Sequence, residues 1–271
     1  KILSLFVVII VKYLIKMKIP TRIALIQLSS NDKPEENCKQ IEQYLNESIK
    51  MNPRFILTPE VSNFISTNRN LRKSFLTIET KDPTLKLVRK FSLSKKIWVL
   101  IGSLALKFNE KVNDYYLNRS LLINPNGEIV ARYDKIHMFD IRLNEKVSFK
   151  ESKYYRPGNK AVLVKTSFAK IGMTICYDLR FPKLYRNLAS AGANIICVPS
   201  AFTIQTGKYH WETLLRARAL ENNVHIIAPA QCGQNIPGRR TWGHSLIISP
   251  EGQIISDSGE NPGISIVDLQ I

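Results

Sequence analysis

At 271 residues and about 44 % hydrophobic, the chain is long enough for one large domain with a substantial core, and a second domain is not required. Lys and Arg number 39 against 22 acidic residues, a net charge of +17, which raises a phosphate-bearing partner. The basic residues are scattered, with no long basic run and no aromatic-interleaved stripe, so the charge reads as a solvated Lys-rich surface and no nucleic-acid partner is expected.

Ile2 to Ile15 is the most apolar stretch, but Lys12 interrupts it and it falls short of the ~20 apolar residues that span a bilayer. No stable membrane span is expected. As a signal peptide it has only Lys1 as a basic start and no small-residue cleavage site. The preferred reading takes Met17 as the natural start and sets residues 1–20 apart as a hydrophobic extension that need not be native.

Thr21 to Leu28 reads as a first strand, followed by the turn-forming S-S-N-D-K-P. A helix follows, with Asp32 as its cap, Pro34 and Glu35 in its first turn, and Cys38, Ile41, Tyr44, Leu45 and Ile49 on one face. Phe55 to Leu57 is a short buried strand that stops at T-P-E, where Pro59 prevents continuation and Glu60 emerges at the strand's C-terminal edge. A carboxylate there can also be an ordinary solvated loop residue. Leu85 to Leu93 is amphipathic, and Ile97 to Gly102 has the unbroken apolar run of a strand covered on both faces. Asn118 to Ile123 and Glu128 to Tyr133 flank N-P-N-G, a hairpin signal, and Lys135 lies just past the second strand. Arg142 to Gly158 has no clear period and reads as a loop over a site, with Glu145 and Glu151 its acidic residues.

Lys170 to Ile175 is short and alternating, and the polar sequence after it begins at Cys176. From Pro182, Leu184, Leu188 and Ala191 recur at helical spacing, which places Cys176 at a strand-to-helix turn. Such a turn lifts a thiol out of the sheet beside free backbone N–H groups that lower its pKa and can stabilise an oxyanion. A cysteine in this setting can equally be a small buried hydrophobe. Asn194 to Val198 is another buried strand, followed by a loop P-S-A-F-T-I-Q-T-G that contains Phe202 and Thr203. Trp211 to Asn222 is a helix with Leu214, Leu215 and Leu220 inward and Arg216 and Arg218 outward. His225 to Ala230, His244 to Ser249, Gln253 to Ile255 and Gly263 to Leu269 are the closing strands. Alternation of strands and helices, then hairpins, predicts a layered α/β sandwich with mixed sheets.

The four cysteines (38, 176, 197, 232) form no CxxC pair and favour a reduced, cytoplasmic compartment. The four histidines form no ligand set, so neither a metal nor a cofactor is expected. A carboxylate (Glu60), an ammonium (Lys135) and a thiol (Cys176), each just past a strand, make a chemical set. The carboxylate can take the thiol's proton and later hand it to a leaving amine. Lys135 and the backbone N–H of Tyr177 can face the tetrahedral oxygen.

The T-P-E at Glu60, the Y-D-K-I-H-M-F-D around Lys135 and the G-M-T-I-C-Y-D-L-R-F-P around Cys176 together resemble the nitrilase superfamily of carbon–nitrogen hydrolases, from about Thr21 to the end of the chain. The resemblance implies a single domain over residues 21–271 in a four-layer α-β-β-α sandwich of two mixed sheets, pairing as a homodimer into eight layers. It implies Glu60 as base and acid, Lys135 as stabiliser of the tetrahedral species, Cys176 as the nucleophile that becomes a thioester, and Glu151, in V-S-F-K-E-S, as a residue that positions Lys135 or the substrate. The T-G-x-x-H-W-E at Thr206, the L-L-R-A-R-A-L-E-N and the A-Q-C-G most resemble amidases acting on deaminated glutathione, with omega-amidases close behind. Arg180 resembles the position that holds an acidic substrate, while an ion pair with Asp178 is its structural alternative; Phe202 and Thr203 complete the candidate substrate-binding set. Family members usually continue past the position of Ile271, so a further C-terminal segment is expected. Three rivals remain. A serine triad lacks G-x-S-x-G, a papain-like pair of Cys176 with His210 or His244 leaves Glu60 and Lys135 unexplained, and a basic non-enzymatic binding domain leaves all three strand-end groups without a role.

Overall fold

A computed structural model describes residues 20–110, 115–142 and 148–271. Most of the expected N-terminal extension, and Glu145, lie outside the described residues.

Two six-stranded mixed sheets stack face to face. The first contains β1 (Thr21–Gln27), β2 (Phe55–Leu57), β3 (Trp98–Lys107), β4 (Tyr116–Ile123), β5 (Ile129–Asp134) and, last in the chain, β16 (Gly263–Leu269), in the order β16-β1-β2-β3-β4-β5. Two short hairpin strands, β6 (Asp140–Arg142) and β7 (Ser148–Lys150), follow the first sheet, so the segment expected to be a loop is partly paired. The second sheet contains β8 (Val162–Lys165), β9 (Lys170–Met173), β10 (Ile195–Cys197), β11 (His225–Ala228), β14 (Leu246–Ile248) and β15 (Ile254–Asp257), in the order β15-β14-β11-β10-β9-β8. Between β11 and β14 a separate hairpin pairs β12 (Cys232–Ile236) with β13 (Arg239–Trp242). In each sheet a parallel trio (β1-β2-β3 and β9-β10-β11) is flanked by antiparallel strands.

The layers follow from the period of two along each strand. In β1, Ile23 and Leu25 face the second sheet, while Ala24 and Ile26 face helices α1 (Pro34–Ser48) and α3 (Pro83–Lys95) through Ile41, Leu45, Leu85 and Val88. The second sheet's outer side is covered by α4 (Pro182–Ser190) and α5 (Ile204–Asn222) through Leu184, Leu188, Trp211 and Leu215. The result is the expected four-layer α-β-β-α sandwich. Its central strands are apolar on both faces because both faces are covered. A shorter helix, α2 (Arg69–Phe75), was not legible as a helix; Asn68 caps it by accepting from the N–H groups of Asn70 and Leu71.

Three local expectations are corrected. The residue at the start of α1 is Lys33, which makes no side-chain cap, and not Asp32; the turn before the helix is held by Asn31 and Asn37, Asn31 N–H donating to Asn37 Oδ1 at 2.9 Å. Helix α5 begins at Ile204, so I-Q-T-G is helical rather than loop, and Gly207 is required there because a Cβ would lie 2.3 Å from Trp242 Cγ. Within α5, Leu220 faces outward and Arg218 is buried, its Nε donating to Leu179 O at 3.0 Å. That bond ties the helix to the turn that follows β9, a gain that outweighs the expected outward position of a guanidinium.

Candidate active site

The C-terminal ends of β2 and β9 face each other across the two sheets, and the candidate residues emerge there. Gly102, in β3, makes the approach possible: a Cβ would stand 2.0 Å from Thr58 O and 2.5 Å from both Pro59 O and Pro199 Cβ. The chain turns sharply at both strand ends. Val61, directly after Glu60, has φ of 46°, and Cys176 has φ of 48°, left-handed values that β-branched and other non-glycine residues adopt only at a cost. Val61 N–H is held by Ser103 Oγ at 2.7 Å, and Cys176 N–H by Pro199 O at 3.0 Å. Strand β9 ends at Met173, two residues before the expected Ile175. Cys176 to Arg180 form a single 3-10 turn before α4, whose first N–H groups, Tyr177 among them, have no acceptor within the turn.

Glu60, Lys135 and Cys176 come together at 4 %, 2 % and 7 % exposure, in a cavity of about 300 Å³. Lys135 Nζ donates to Glu60 Oε1 at 2.8 Å and to Glu151 Oε2 at 2.9 Å. Glu60 Oε2 accepts from the backbone N–H of Ala201 at 2.8 Å. Glu151 Oε2 also accepts from Phe139 N–H at 2.7 Å, so this carboxylate fixes Lys135 to the segment after β5. Asn118, which the sequence did not single out, bridges both carboxylates: its Nδ2 donates to Glu60 Oε1 at 2.8 Å and to Glu151 Oε1 at 3.2 Å.

The electrostatics assign resting proton positions. Burial alone would push the Glu60 carboxyl up, but the charge of Lys135 and bonds from Lys135, Cys176 and Asn118 outweigh it and hold the group below its ordinary range. Burial works against the Lys135 charge, but Glu151 and Glu60 override it and raise its pKa well above the usual lysine value. Burial, then the Glu60 charge, raise the Cys176 thiol well above the usual cysteine value. The resting site is therefore carboxylate, ammonium and neutral thiol. A thiol in that state would need a base before it could attack, and the Glu60 carboxylate in the same cavity is the candidate.

A second buried carboxylate holds the Cys176 turn. Asp178, fully buried, accepts from Tyr133 Oη at 2.7 Å, from Ile175 N–H at 2.9 Å and from His137 N–H at 3.0 Å, with His137 Nδ1 at 2.7 Å. Since Tyr133 and His137 flank Lys135, this cluster locks the Lys135 segment to the Cys176 turn. It also removes Asp178 as a partner for Arg180. Arg180 is not part of the cavity wall; its Nη2 lies 2.9 Å from His210 Nδ1, against the rings of Tyr177 and Phe202, at the rim. Tyr177, Phe202 and Thr203 do line the cavity, Phe202 backed by Trp211 at 4.8 Å between ring centroids. Among the described residues no cluster of His, Cys, Asp or Glu has the makings of a metal site, and no helix is long and apolar enough to cross a membrane.

The carbon–nitrogen hydrolase family profile matches residues 22–271. The chain is 39 % identical over 251 residues to deaminated glutathione amidase of Yersinia enterocolitica, covering 92 % of this chain and 86 % of that one. It is 36 % identical over 255 residues to deaminated glutathione amidase of Dictyostelium discoideum, covering 92 % and 88 %. Its fold is similar to the crystal structure of the Caenorhabditis elegans NitFhit protein, with a TM-score of 0.87 at 31 % identity over 93 % of this chain; the chain spans 61 % of that protein's length.

Proposed function

Because the chain belongs to the carbon–nitrogen hydrolase family, we propose that it is an amidase that cleaves a small carboxylate-bearing amide through a Cys176 thioester, with deaminated glutathione as its substrate. The observation that carries the reading is the single buried cluster of Glu60, Lys135, Glu151 and Cys176 in one cavity.

Glu60 takes the thiol proton as Sγ attacks the amide carbonyl carbon. The carbonyl oxygen becomes an oxyanion facing Lys135 Nζ and the N–H of Tyr177. Collapse breaks the C–N bond, and Glu60 returns its proton to the departing amine. Water then loses a proton to Glu60, attacks the thioester carbonyl and releases the acid, and the proton on Glu60 restores the thiol. Lys135 stays protonated throughout, because Glu151 remains a carboxylate beside it even while Glu60 carries the proton. Glu151 and Asn118 position it. Arg180, at the rim, is placed to meet the keto-acid carboxylate with a planar fork of donors. The enzyme acts as a homodimer paired through a helix layer, and four free cysteines suit a reducing cytoplasm.

The relatives' names favour deaminated glutathione over α-ketoglutaramate, the omega-amidase substrate. Release of the keto acid from deaminated glutathione, from α-ketoglutaramate and from a matched nitrile tests this. The first is expected to have the highest kcat/KM and the nitrile the lowest. A faster nitrile overturns the amidase reading, and faster α-ketoglutaramate overturns the substrate.

A further inference from the structure

The charges along the cavity do not balance within the protein. Lys135 is answered by Glu60 and Glu151, but two guanidinium groups on the same cavity wall have no carboxylate among the described residues. Arg72, in α2, is 4 % exposed. Its Nη1 donates to Ser66 O at 2.6 Å and its Nη2 to Thr67 O at 3.3 Å, and the group lies 4.1 Å over the ring of Tyr154. Its Nε is buried and makes no hydrogen bond. Arg239 opens β13, from the other end of the chain, and its Nε too is buried without an acceptor. Both charges act on the buried phenol of Tyr155, whose pKa burial raises and the two arginines oppose, and the same phenol senses Glu151 and Glu60. Arg72 lies over Tyr154, whose N–H donates to Glu151 O, and Arg239 opens the strand whose Thr241 bridges Thr203, whereas Arg180 stays outside the cavity wall against Tyr177, Phe202 and His210.

A buried guanidinium with no counter-ion is an uncompensated charge, and the group that relieves it is an anion delivered by the ligand. Arg239 is half-buried in the cavity wall and makes no side-chain hydrogen bond among the described residues, so its outer nitrogens suit a carboxylate, while Arg72, whose Nη1 and Nη2 are held by loop carbonyls, adds a fixed positive charge to the same wall. On the proposed mechanism the amine departs toward Glu60, its proton donor, so the arginine wall faces the amine half of the substrate. We infer that Arg72 and Arg239 form a carboxylate subsite for the leaving amine, distinct from Arg180, so the chain prefers amides whose amine half ends in a free carboxylate, as a peptide does, over primary amides. The inference rests on the amidase reading. Deaminated glutathione, a keto-acid amide of a dipeptide, carries a carboxylate at both ends and fits both arginine positions.

The test compares deaminated glutathione with the same compound carrying a C-terminal carboxamide. Wild type is expected to favour the acid by at least ~tenfold in kcat/KM. Arg239→Gln is expected to reduce that ratio at least ~tenfold, and Arg239→Lys, which keeps the charge, to restore part of it. Arg72 also holds two loop carbonyls, so Arg239 is the decisive position. Calorimetric titration of Cys176→Ala and of Cys176→Ala with Arg239→Gln, using the same two compounds, reads the preference without turnover. If wild type hydrolyses neither compound, the amidase reading fails while the calorimetric ratio still decides the subsite. A ratio near one in the parent protein, or equal loss on acid and carboxamide in Arg239→Gln, overturns the subsite.

Discussion

Cys176 combines a left-handed backbone, near-complete burial and a place in one cavity with Glu60, and each constrains what a substitution does. Cys176→Ala removes the sulfur without changing the turn, so it is expected to fold normally and lose at least ~1000-fold in turnover. Glu60→Gln keeps the shape but cannot accept a proton, and its loss is expected to fall in the ~100- to 10,000-fold range of general base catalysis. Intact-mass spectra of wild type under substrate are expected to show the acyl adduct; its absence, with activity retained in Cys176→Ala, rules out this nucleophile. The pH profile follows from the same pair. Glu60 is held below its ordinary 4.5, so its carboxylate, and the stability it lends by binding Lys135, persist above that value and are lost as pH falls through the lower folded one. The thiol, raised well above 9.0, stays protonated through neutrality. We therefore expect kcat/KM to be flat across neutral pH with its acid limb below 4.5; an acid limb near neutrality means that Glu60 is not the base.

At the scale of elements, the site depends on how near two loops come. Gly102→Ala drives a methyl into Thr58 O, Pro59 O and Pro199 Cβ, backbone and proline atoms that cannot rotate away. Overpacking of this kind costs up to about 3 kcal/mol, so urea unfolding is expected to show a loss of that order together with a fall in activity, because T-P-E is displaced. Unchanged stability means that the sheets part without penalty there. The same geometry explains what the sequence made legible. T-P-E and the turn at Cys176 announce themselves because an apolar run breaks at a chemically distinct residue, and the N-P-N-G hairpin because Gly127 must take φ of 73°. Asn118 was hidden because it opens the polar run N-R-S inside β4, which reads as a surface stretch until its Nδ2 meets two carboxylates. Arg218 was hidden because its acceptor, Leu179 O, comes from another element. Hairpin β12–β13 carries Arg239 to the cavity, but its polar sequence has no alternation to mark it as a pair of strands.

At the scale of the whole molecule, two helices cover each sheet, and one of these outer faces is not finished. On α5, Tyr209 is 69 % and Leu220 55 % exposed, and the exposed Thr213 and Arg216 lie between them. Tyr209 and Leu220 are about three helical turns apart, so all four residues lie along one outward stripe of a helix whose opposite stripe packs on the second sheet. An apolar residue at each end of such a stripe suits the helix-layer pairing proposed for the homodimer. The charge opposes it. Each chain carries +17, and two such chains repel over a distance that salt sets, about 30 Å at 0.01 M and 8 Å at 0.15 M. Sedimentation of micromolar protein is expected to show a species of twice 31.0 kDa whose dissociation constant falls as salt rises through that range. Tyr209→Glu adds a charge to the stripe and removes its largest apolar surface, and the variant is expected to sediment as the monomer at every salt concentration while keeping its fold. If wild type is monomeric throughout, the proposed assembly is wrong. If Tyr209→Glu pairs as tightly as wild type, the interface lies on another face.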